Sequence, residues 1–217
     1  MIKAVLLDVD GVLIESEEAL CRAYAHTFTK FGFAPPSREK VLEFVGRPGS
    51  DWIRSILPEE KKGNSALVHE MAEYNRQKYL QFYYPILVRE AADATKTLKA
   101  LKKKYKIAII TNGNREVWQR HESFFHWQGI PDAVVTASDV SSGKPSAEPL
   151  KKALLLLGAS QEQAIMVGDT ANDTTAAKAA GIKSVLVSNP QNLELDSDYR
   201  IKAFKDLPEL LKRIGGK

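Results

Sequence analysis

The sequence predicts an α/β protein: a Rossmann-like parallel sheet core with helices on both faces and an inserted all-α helical-bundle cap. Short apolar runs alternate with helix-period segments along most of the chain, and a long stretch after the first run contains no convincing strand. Strand–helix–strand alternation is typical of parallel sheets with right-handed crossovers. We therefore expect residues 1–15 and 87–217 to form the α/β core, and residues 16–86 to form the helical cap.

Six short runs have the composition of buried parallel strands, being apolar, partly β-branched and closed by polar or glycine residues. They are residues 2–7, 107–110, 133–136, 164–167, 184–187 and 199–201. The apolar spacing between these runs predicts core helices over 91–104, 115–127, 147–157, 171–180 and 207–214. The same spacing predicts cap helices over 17–31, 38–44, 51–57 and 66–82.

The composition indicates a globular protein of 217 residues, with 44% hydrophobic and 27% charged residues. Its apolar runs are too short for a membrane span, and Asp8 and Asp10 interrupt the first run, so we expect neither a membrane anchor nor a targeting signal. A single cysteine, Cys21, excludes an internal disulfide and favours a reducing, cytoplasmic location. The net charge of +4 favours anionic partners without indicating nucleic acid.

Polar residues collect where four of the predicted strands end. In an open parallel sheet, ligands bind outside the carboxyl ends of the strands. The residues in question are Asp8 and Asp10 after the first strand, Thr111 and Asn112 after the second, Lys144 after the third, and Asp169 and Asp173 after the fourth. We expect all of them to meet at one edge of the sheet.

Charge counting indicates what this edge holds. Four ionised carboxylates carry −4 and Lys144 returns +1, so the cluster requires a cation or raised pKa values. An all-oxygen set of ligands suits Mg²⁺. With the cation, Lys144 and the Thr111 hydroxyl, a phosphate dianion can enter the site. Asp8 then serves as nucleophile and Asp10 as proton donor, and the predicted chemistry is phosphoryl transfer through an aspartyl-phosphate.

Four ordered motifs carry a family resemblance: DVDGVLIES at 8–16, ITNG at 110–113, GKP at 143–145 and GDTANDTTAAKAAG at 168–181. With them, the sequence resembles the haloacid dehalogenase-like superfamily over essentially the whole chain. The resemblance is to its capped phosphatases, of the phosphoglycolate phosphatase and β-phosphoglucomutase kind. It implies a Mg²⁺-dependent phosphatase, a phosphoric monoester hydrolase, acting on a small phosphorylated metabolite.

The resemblance also implies roles for the residues that carry catalysis and bind phosphate. Asp8 corresponds to the covalent nucleophile, and Asp10 to the general acid/base. Thr111 and Asn112 correspond to the phosphate-binding pair. Lys144 corresponds to the residue that holds the phosphate and offsets the carboxylates.

The metal and substrate assignments follow in the same way. Asp8 and Asp169 correspond to metal ligands, Asp10 to a ligand through its backbone carbonyl, and Asp173 to a direct or water-mediated one. In related capped enzymes a glycine-centred cap loop faces the core site. Arg47, which follows Gly46, is therefore a candidate for binding an acidic or polar group of the substrate.

Two alternative functions remain open from the sequence. Sugar-phosphate mutases of this cap class share the Gly11-Val12 pair, but they place a histidine ten residues after the second aspartate, where this chain has Leu20. A phosphotransferase or mutase is therefore less favoured than a phosphatase. A phosphoacceptor signalling module also combines an acidic cluster with Thr and Lys, but it lacks a cap of this size.

Features outside the motifs favour packing and solvation over further chemistry. His121 and His126 lie beside several aromatic residues at a spacing unsuited to a shared metal, so we expect them to pack. The lysine-rich run at 102–106 is typical of a solvated helix end, where cations are favourable. We expect no nucleic-acid or membrane partner, and either a monomer or a homodimer.

Overall fold

The computed structural model describes residues 1–43 and 49–215, and the chain divides into two compact units. The first unit comprises Met1–Ile14 and Glu90–Lys217, and the second comprises Glu15–Arg89. The second unit is helical, and it interrupts the α/β unit after the first long strand. Its role as a cap stays a prediction.

The α/β unit is built on one parallel sheet. The strands in chain order are β1 (Ala4–Leu7), β2 (Ile14–Glu15), β3 (Arg89–Glu90), β4 (Lys106–Ile110), β5 (Ala133–Val135), β6 (Ala164–Gly168), β7 (Lys183–Val187) and β8 (Tyr199–Ile201). Six of these form the sheet in the order β5-β4-β1-β6-β7-β8, while β2 pairs with β3. In the register, Leu7 lies opposite Ile109 and Val167, so β1, β4 and β6 end side by side. The predicted fold class is confirmed.

Helices account for most of the remaining described chain. In chain order they are α1 (Glu17–Lys30), α2 (Arg38–Leu42), α3 (Gly49–Ile56), α4 (Glu59–Lys62), α5 (Ser65–Lys78), α6 (Tyr84–Leu87), α7 (Ala94–Lys102), α8 (Arg115–Phe124), α9 (Glu148–Leu157), α10 (Ala171–Ala180) and α11 (Leu207–Gly215). A π-helical turn, Tyr79–Tyr83, joins α5 to α6. None of the helices in the described ranges is long and apolar enough to cross a bilayer.

The sheet is buried on both faces, which explains the continuous apolar runs of its strands. Ala4 and Leu6 pack in one cluster with Leu150 of α9 and Ala176 of α10. The alternate residues of β1 point to the opposite face and are also fully buried. A strand enclosed in this way holds the residues that follow it in fixed positions.

The helical unit has its own core. Tyr24 and Phe28 of α1 pack with Trp52 of α3 and Met71 of α5, and all four are buried. Within this core the hydroxyl of Thr27 lies 3.1 Å from the Oδ1 atom of Asn75 and donates to it. The unit therefore buries enough apolar surface to hold its helices together.

The cap helix predicted over 66–82 is α-helical only to Lys78 and continues as the π-helical turn. Two predicted limits of core helices are wrong by three residues, and both for the same physical reason. The helix predicted from residue 91 begins at Ala94, because Asp93 has a left-handed backbone with φ of 59°. The helix predicted to end at 127 ends at Phe124, since His126 has φ of 56°. Non-glycine residues rarely adopt this conformation, so a helix pattern in the sequence gives no sign of it. The short elements β2, β3, α4 and α6 also lay outside the prediction.

Candidate active site

The first motif places Asp8 directly after β1, where the side chain is 5% exposed. The backbone N–H of Asp8 donates to the carbonyl of Val167 at 2.9 Å, which continues the β1–β6 pairing by one residue. Gly11 then turns the chain with φ of 74°, and a Cβ atom at this position would overlap the carboxylate of Asp169. Only glycine satisfies both requirements, because it tolerates the left-handed backbone and the close approach.

Lys144 lies at the centre of the site and is nearly inaccessible to solvent. Its ammonium nitrogen is 2.7 Å from Oδ1 of Asp8 and 2.6 Å from Oδ1 of Asp173. It also donates to the carbonyl of Ile110 at 3.0 Å. An ammonium group has three N–H donors, and these three contacts use all of them.

The loop that carries Lys144 is held by Asn112. The Oδ1 atom of Asn112 accepts the backbone N–H of Lys144 at 2.8 Å, and its Nδ2 atom donates to the Lys144 carbonyl at 2.8 Å. A Cβ atom at Gly143 would overlap this amide. Thr111 is buried, and its hydroxyl oxygen accepts the N–H of Gly113 at 3.0 Å. The second and third motifs are therefore joined by direct hydrogen bonds.

The fourth motif supplies two buried carboxylates. Asp173 closes a capping box at the start of α10, where its Oδ2 atom accepts both the N–H and the hydroxyl of Thr170, at 3.0 and 2.6 Å. Its Oδ1 atom accepts from Lys144, so both oxygens are engaged. Asp169 differs, because its Oδ1 atom is buried and has no hydrogen-bond partner within the described ranges.

The electrostatics of the site reflect three carboxylates with one counter-charge. Burial and the neighbouring Asp173 raise the pKa of Asp8 to about 7, although Lys144 acts in the opposite direction. Burial and then Asp173 and Asp8 raise the pKa of Asp169 well above its ordinary value. Burial alone would lower the pKa of Lys144, but the two aspartates raise it above its ordinary range. Lys144 is therefore a permanent cation, and it does not fully offset the carboxylates.

These residues fit a divalent cation. Oxygen atoms of Asp8, Asp169 and Asp173 all lie within 4.8 Å of one another. The buried Oδ1 atom of Asp169 lacks a hydrogen-bond donor in the described structure, and such an atom is costly unless something satisfies it. An oxygen-only donor set and a surplus of negative charge suit Mg²⁺.

Two of the sequence-predicted residues lie outside this group. The carboxylate of Asp10 is half-buried and is not part of the three-aspartate cluster, whereas the backbone at Asp10 forms an isolated bridge with Ile14. Arg47 falls within residues 44–48, outside the described residues. The structure brings together five of the other predicted residues, which are Asp8, Asn112, Lys144, Asp169 and Asp173. Thr111 directly precedes Asn112 in the chain and is buried after β4.

Sequence reasoning missed two asparagines that contact Asp169. Asn189 and Asn192 follow β7, and both donate hydrogen bonds to this aspartate. The rule that ligands bind at the carboxyl ends of parallel strands applies to β7 as it does to the other strands. Applied there, it would have singled out this asparagine-rich loop.

His121 of α8 is buried, as predicted for a packing residue, and is 2% exposed. Burial lowers the pKa of its imidazole from 6.5 to about 4, although the charge of Asp10 acts to raise it. The imidazole is therefore neutral at physiological pH, and folding opposes its protonation.

We expect His121 to make the folded state sensitive to acid. Because the unfolded chain takes up the proton more readily, the stability that depends on neutral His121 is complete above about pH 6.5 and is lost as the pH falls toward 4. Between these limits the loss is about 3 kcal/mol. Urea unfolding at several pH values gives the free energy of unfolding of the wild type and of His121→Gln as a function of pH. The loss assigned to His121 is the extra fall of the wild-type curve between these two pH limits. Exposed His69→Gln is the control, and parallel curves for wild type and His121→Gln would contradict the prediction.

Comparisons with known proteins agree with this fold and site. The sequence model described as haloacid dehalogenase-like hydrolase matches residues 5–187. Pyrophosphatase PpaX of Halalkalibacterium halodurans is 32% identical over 222 residues, which cover 100% of this chain and 98% of that protein. A HAD-superfamily hydrolase of subfamily IA from Geobacter sulfurreducens is 26% identical, with a TM-score of 0.74 over 97% of this chain and 100% of the other.

β-Phosphoglucomutase of Clostridium difficile has a TM-score of 0.85, covering 98% of this chain and 96% of that one. At 19% identity this likeness concerns the fold alone. The family match and the relatives make this chain an enzyme of the hydrolase class. It belongs to the haloacid dehalogenase-like hydrolase family, so the resemblance inferred from the four motifs is confirmed. The predicted phosphatase class agrees with the name of its 32%-identical relative, a pyrophosphatase.

Proposed function

We propose that the protein is a Mg²⁺-dependent phosphatase that hydrolyses a small phosphate compound through an aspartyl-phosphate on Asp8. One observation carries the proposal: buried Asp8 is paired with Lys144 beside two further buried carboxylates, at the carboxyl edge of a parallel sheet. A carboxylate held in this way is a fixed nucleophile. The negative charge of the three carboxylates exceeds the single positive charge of Lys144, so a divalent cation would balance the cluster.

The cation would be held by the carboxylates of Asp8 and Asp169 and by the backbone carbonyl of Asp10. Support for Asp169 comes from its Oδ1 atom, which is buried and has no hydrogen-bond partner within the described residues. Both oxygens of Asp173 already accept hydrogen bonds, which favours a water-mediated role for this residue. When bound, the cation supplies positive charge that offsets the phosphate dianion.

In the first step, a carboxylate oxygen of Asp8 attacks phosphorus, and the bond from phosphorus to the leaving oxygen breaks. Asp10 gives its proton to that leaving oxygen. In the second step, water attacks phosphorus and passes a proton to Asp10, and the bond from phosphorus to the Asp8 oxygen breaks. Phosphate leaves, and both aspartates return to their initial states.

Phosphate binding is divided among the remaining residues. The hydroxyl of Thr111 accepts from Gly113, and its own O–H makes no hydrogen bond within the described residues, so it is available to a phosphate oxygen. Asn112 uses its amide to hold the Lys144 backbone. We therefore assign Asn112 a role in fixing Lys144, with contact to phosphate through its backbone. Lys144 supplies the charge that a phosphate dianion needs among carboxylates.

Inorganic pyrophosphate stands first among the candidate substrates. Relatives named pyrophosphatase PpaX align with this chain over its full length at 32% and 34% identity. Pyrophosphate also carries a second anionic group next to the phosphoryl group that is transferred. Arg47 of the helical unit, a substrate-binding residue predicted from the sequence, suits that second anionic group. Phosphate monoesters such as phosphoglycolate follow as the second candidates.

The experiment that tests the proposal is phosphate release from a panel of compounds, with Mg²⁺ or with EDTA. The panel contains pyrophosphate, phosphoglycolate, a hexose 6-phosphate and 4-nitrophenyl phosphate. We expect release that depends on Mg²⁺ and is fastest for one or a few members. Absence of release from every member in the presence of Mg²⁺ would overturn the phosphatase assignment.

Two other outcomes would point to the alternatives. A phosphotransferase or mutase would pass the phosphoryl group to an added sugar phosphate in preference to water, although Leu20 in place of a histidine argues against this. A phosphoacceptor signalling module would form a stable phosphorylated protein without turnover.

We expect Asp10→Asn to affect substrates according to their leaving groups. An alkyl phosphate requires a proton on the departing oxygen, so kcat/KM falls about 100- to 10,000-fold. For 4-nitrophenyl phosphate, whose leaving group departs without protonation, kcat/KM falls much less. Steady-state kinetics on both substrates measures the difference, because kcat/KM reports the steps up to departure of the leaving group. Exposed Glu15→Gln is the control, and equal losses on both substrates would exclude the acid role.

A further inference from the structure

The loop that follows β7 is tied to Asp169 by two asparagine side chains. The Nδ2 atom of Asn189 donates to Oδ2 of Asp169 at 3.1 Å. The Nδ2 atom of Asn192 donates to the Asp169 backbone carbonyl at 2.8 Å and to the Val187 carbonyl at 2.8 Å. Carboxylate and backbone of one aspartate are therefore held from the same loop.

The orientation of both amides is fixed by their other hydrogen bonds. The Oδ1 atom of Asn189 accepts the backbone N–H of Gln191 at 3.0 Å. The Oδ1 atom of Asn192 accepts the backbone N–H of Asn189 at 3.1 Å and an N–H of Arg200 at 3.2 Å. Since each oxygen already accepts from a donor, each amide nitrogen must face Asp169. Arg200 also donates to the carbonyl of Leu195 at 2.6 Å and so fixes the loop to β8.

This arrangement divides the two oxygens of Asp169 between different tasks. Oδ2 is occupied by Asn189, whereas Oδ1 is buried without a hydrogen-bond partner in the described ranges. A carboxylate oxygen of Asp169 lies within 4.8 Å of oxygens of Asp8 and Asp173. The amide adds no charge, so it orients the carboxylate without competing with a cation. A lysine or arginine in its place would neutralise the ligand that it holds.

We propose that Asn189 is a positioning residue that presents Oδ1 of Asp169 to the divalent cation. The inference rests on the proposed function, because it takes Asp169 as a cation ligand. Asn192 and Arg200 support it by holding the loop and the Asp169 backbone. Partners that orient a metal ligand commonly contribute about 10- to 100-fold to metal affinity.

The test measures Mg²⁺ binding to the free protein by calorimetry, and Mg²⁺-dependent thermal stabilisation, without substrate. Asn189→Ala and the near-isosteric Asn189→Leu both remove the donor. We expect Mg²⁺ to bind each variant about 10-fold more weakly, with a correspondingly smaller thermal shift. Gln191→Ala is the matched control, because Gln191 lies exposed in the same loop and contributes only its backbone N–H. At low Mg²⁺ concentration both Asn189 variants lose activity, and raising the Mg²⁺ concentration restores part of it, whereas Gln191→Ala shows no such dependence.

The outcomes separate this inference from the proposed function. If the wild type binds no Mg²⁺, the metal assignment of the proposed function fails. If the wild type binds Mg²⁺ and both variants bind it equally well, the positioning role of Asn189 is overturned. If neither variant shows a cooperative melt without Mg²⁺, Asn189 is a structural tie of the loop, and the positioning role is overturned as well.

Discussion

Asp8→Asn is expected to reduce kcat/KM for every substrate by at least about 1,000-fold, because an amide cannot act as the nucleophile. The fold should be retained. The new side chain keeps an oxygen that accepts from Lys144, and it removes one charge from a cluster where burial and Asp173 already oppose ionisation. Phosphate release measured under single-turnover conditions tests the expected loss.

The control for Asp8→Asn is the same change at exposed Asp196, which should leave turnover unchanged. Urea unfolding of Asp8→Asn should give a free energy no lower than that of the wild type in metal-free buffer. Turnover near the wild-type level in Asp8→Asn would refute the nucleophile assignment.

Lys144→Met is expected to lower the free energy of unfolding by about 3–5 kcal/mol in metal-free buffer near neutral pH. The substitution leaves Asp8 and Asp173 buried and facing each other without the ammonium that separates them. It also removes the hydrogen bond to the Ile110 carbonyl. Phosphatase activity should be lost, since no fixed cation then offsets the carboxylates. Urea unfolding measures the stability change.

The effect of Lys144→Met should shrink as the pH falls, because protonation of Asp8, whose pKa burial raises to about 7, removes its repulsion with Asp173. Exposed Lys104→Met provides the matched control and should change stability by less than about 0.5 kcal/mol. A stability change of the same small size in Lys144→Met would show that the buried ion pairs do not hold this site together.

The strands and the order of the motifs could be predicted because burial on both faces leaves a direct trace in the sequence. Each predicted core strand is observed within one or two residues of its expected limits. The helix limits at Asp93 and His126 were wrong, since a left-handed backbone at a non-glycine residue depends on tertiary contacts. The two-residue strands β2 and β3 are too short for any periodicity to reveal them.

The residues of the site could be predicted from the sequence, but the hydrogen bonds that each of them makes could not. The motifs indicated that Asp8, Lys144 and Asp169 would meet at one sheet edge. They could not indicate that Lys144 would use all its donors within the protein, because that depends on side-chain orientation. The loop after β7 could have been singled out by its place at the carboxyl edge of the sheet, but the contact of Asn189 with Asp169 could not, since it depends on side-chain orientation.

The central claim is that a phosphoryl group is transferred to Asp8. The most direct measurement is rapid acid quenching during turnover, followed by borohydride reduction and peptide mass spectrometry. Asp10→Asn with 4-nitrophenyl phosphate as substrate serves to raise the amount of the intermediate, because hydrolysis of the intermediate slows while its formation, which needs no protonated leaving group, slows much less. We predict reduction of an acyl phosphate at Asp8 to homoserine, on the peptide that follows β1. Turnover without any peptide that contains homoserine, or with homoserine in place of another aspartate, would contradict the account.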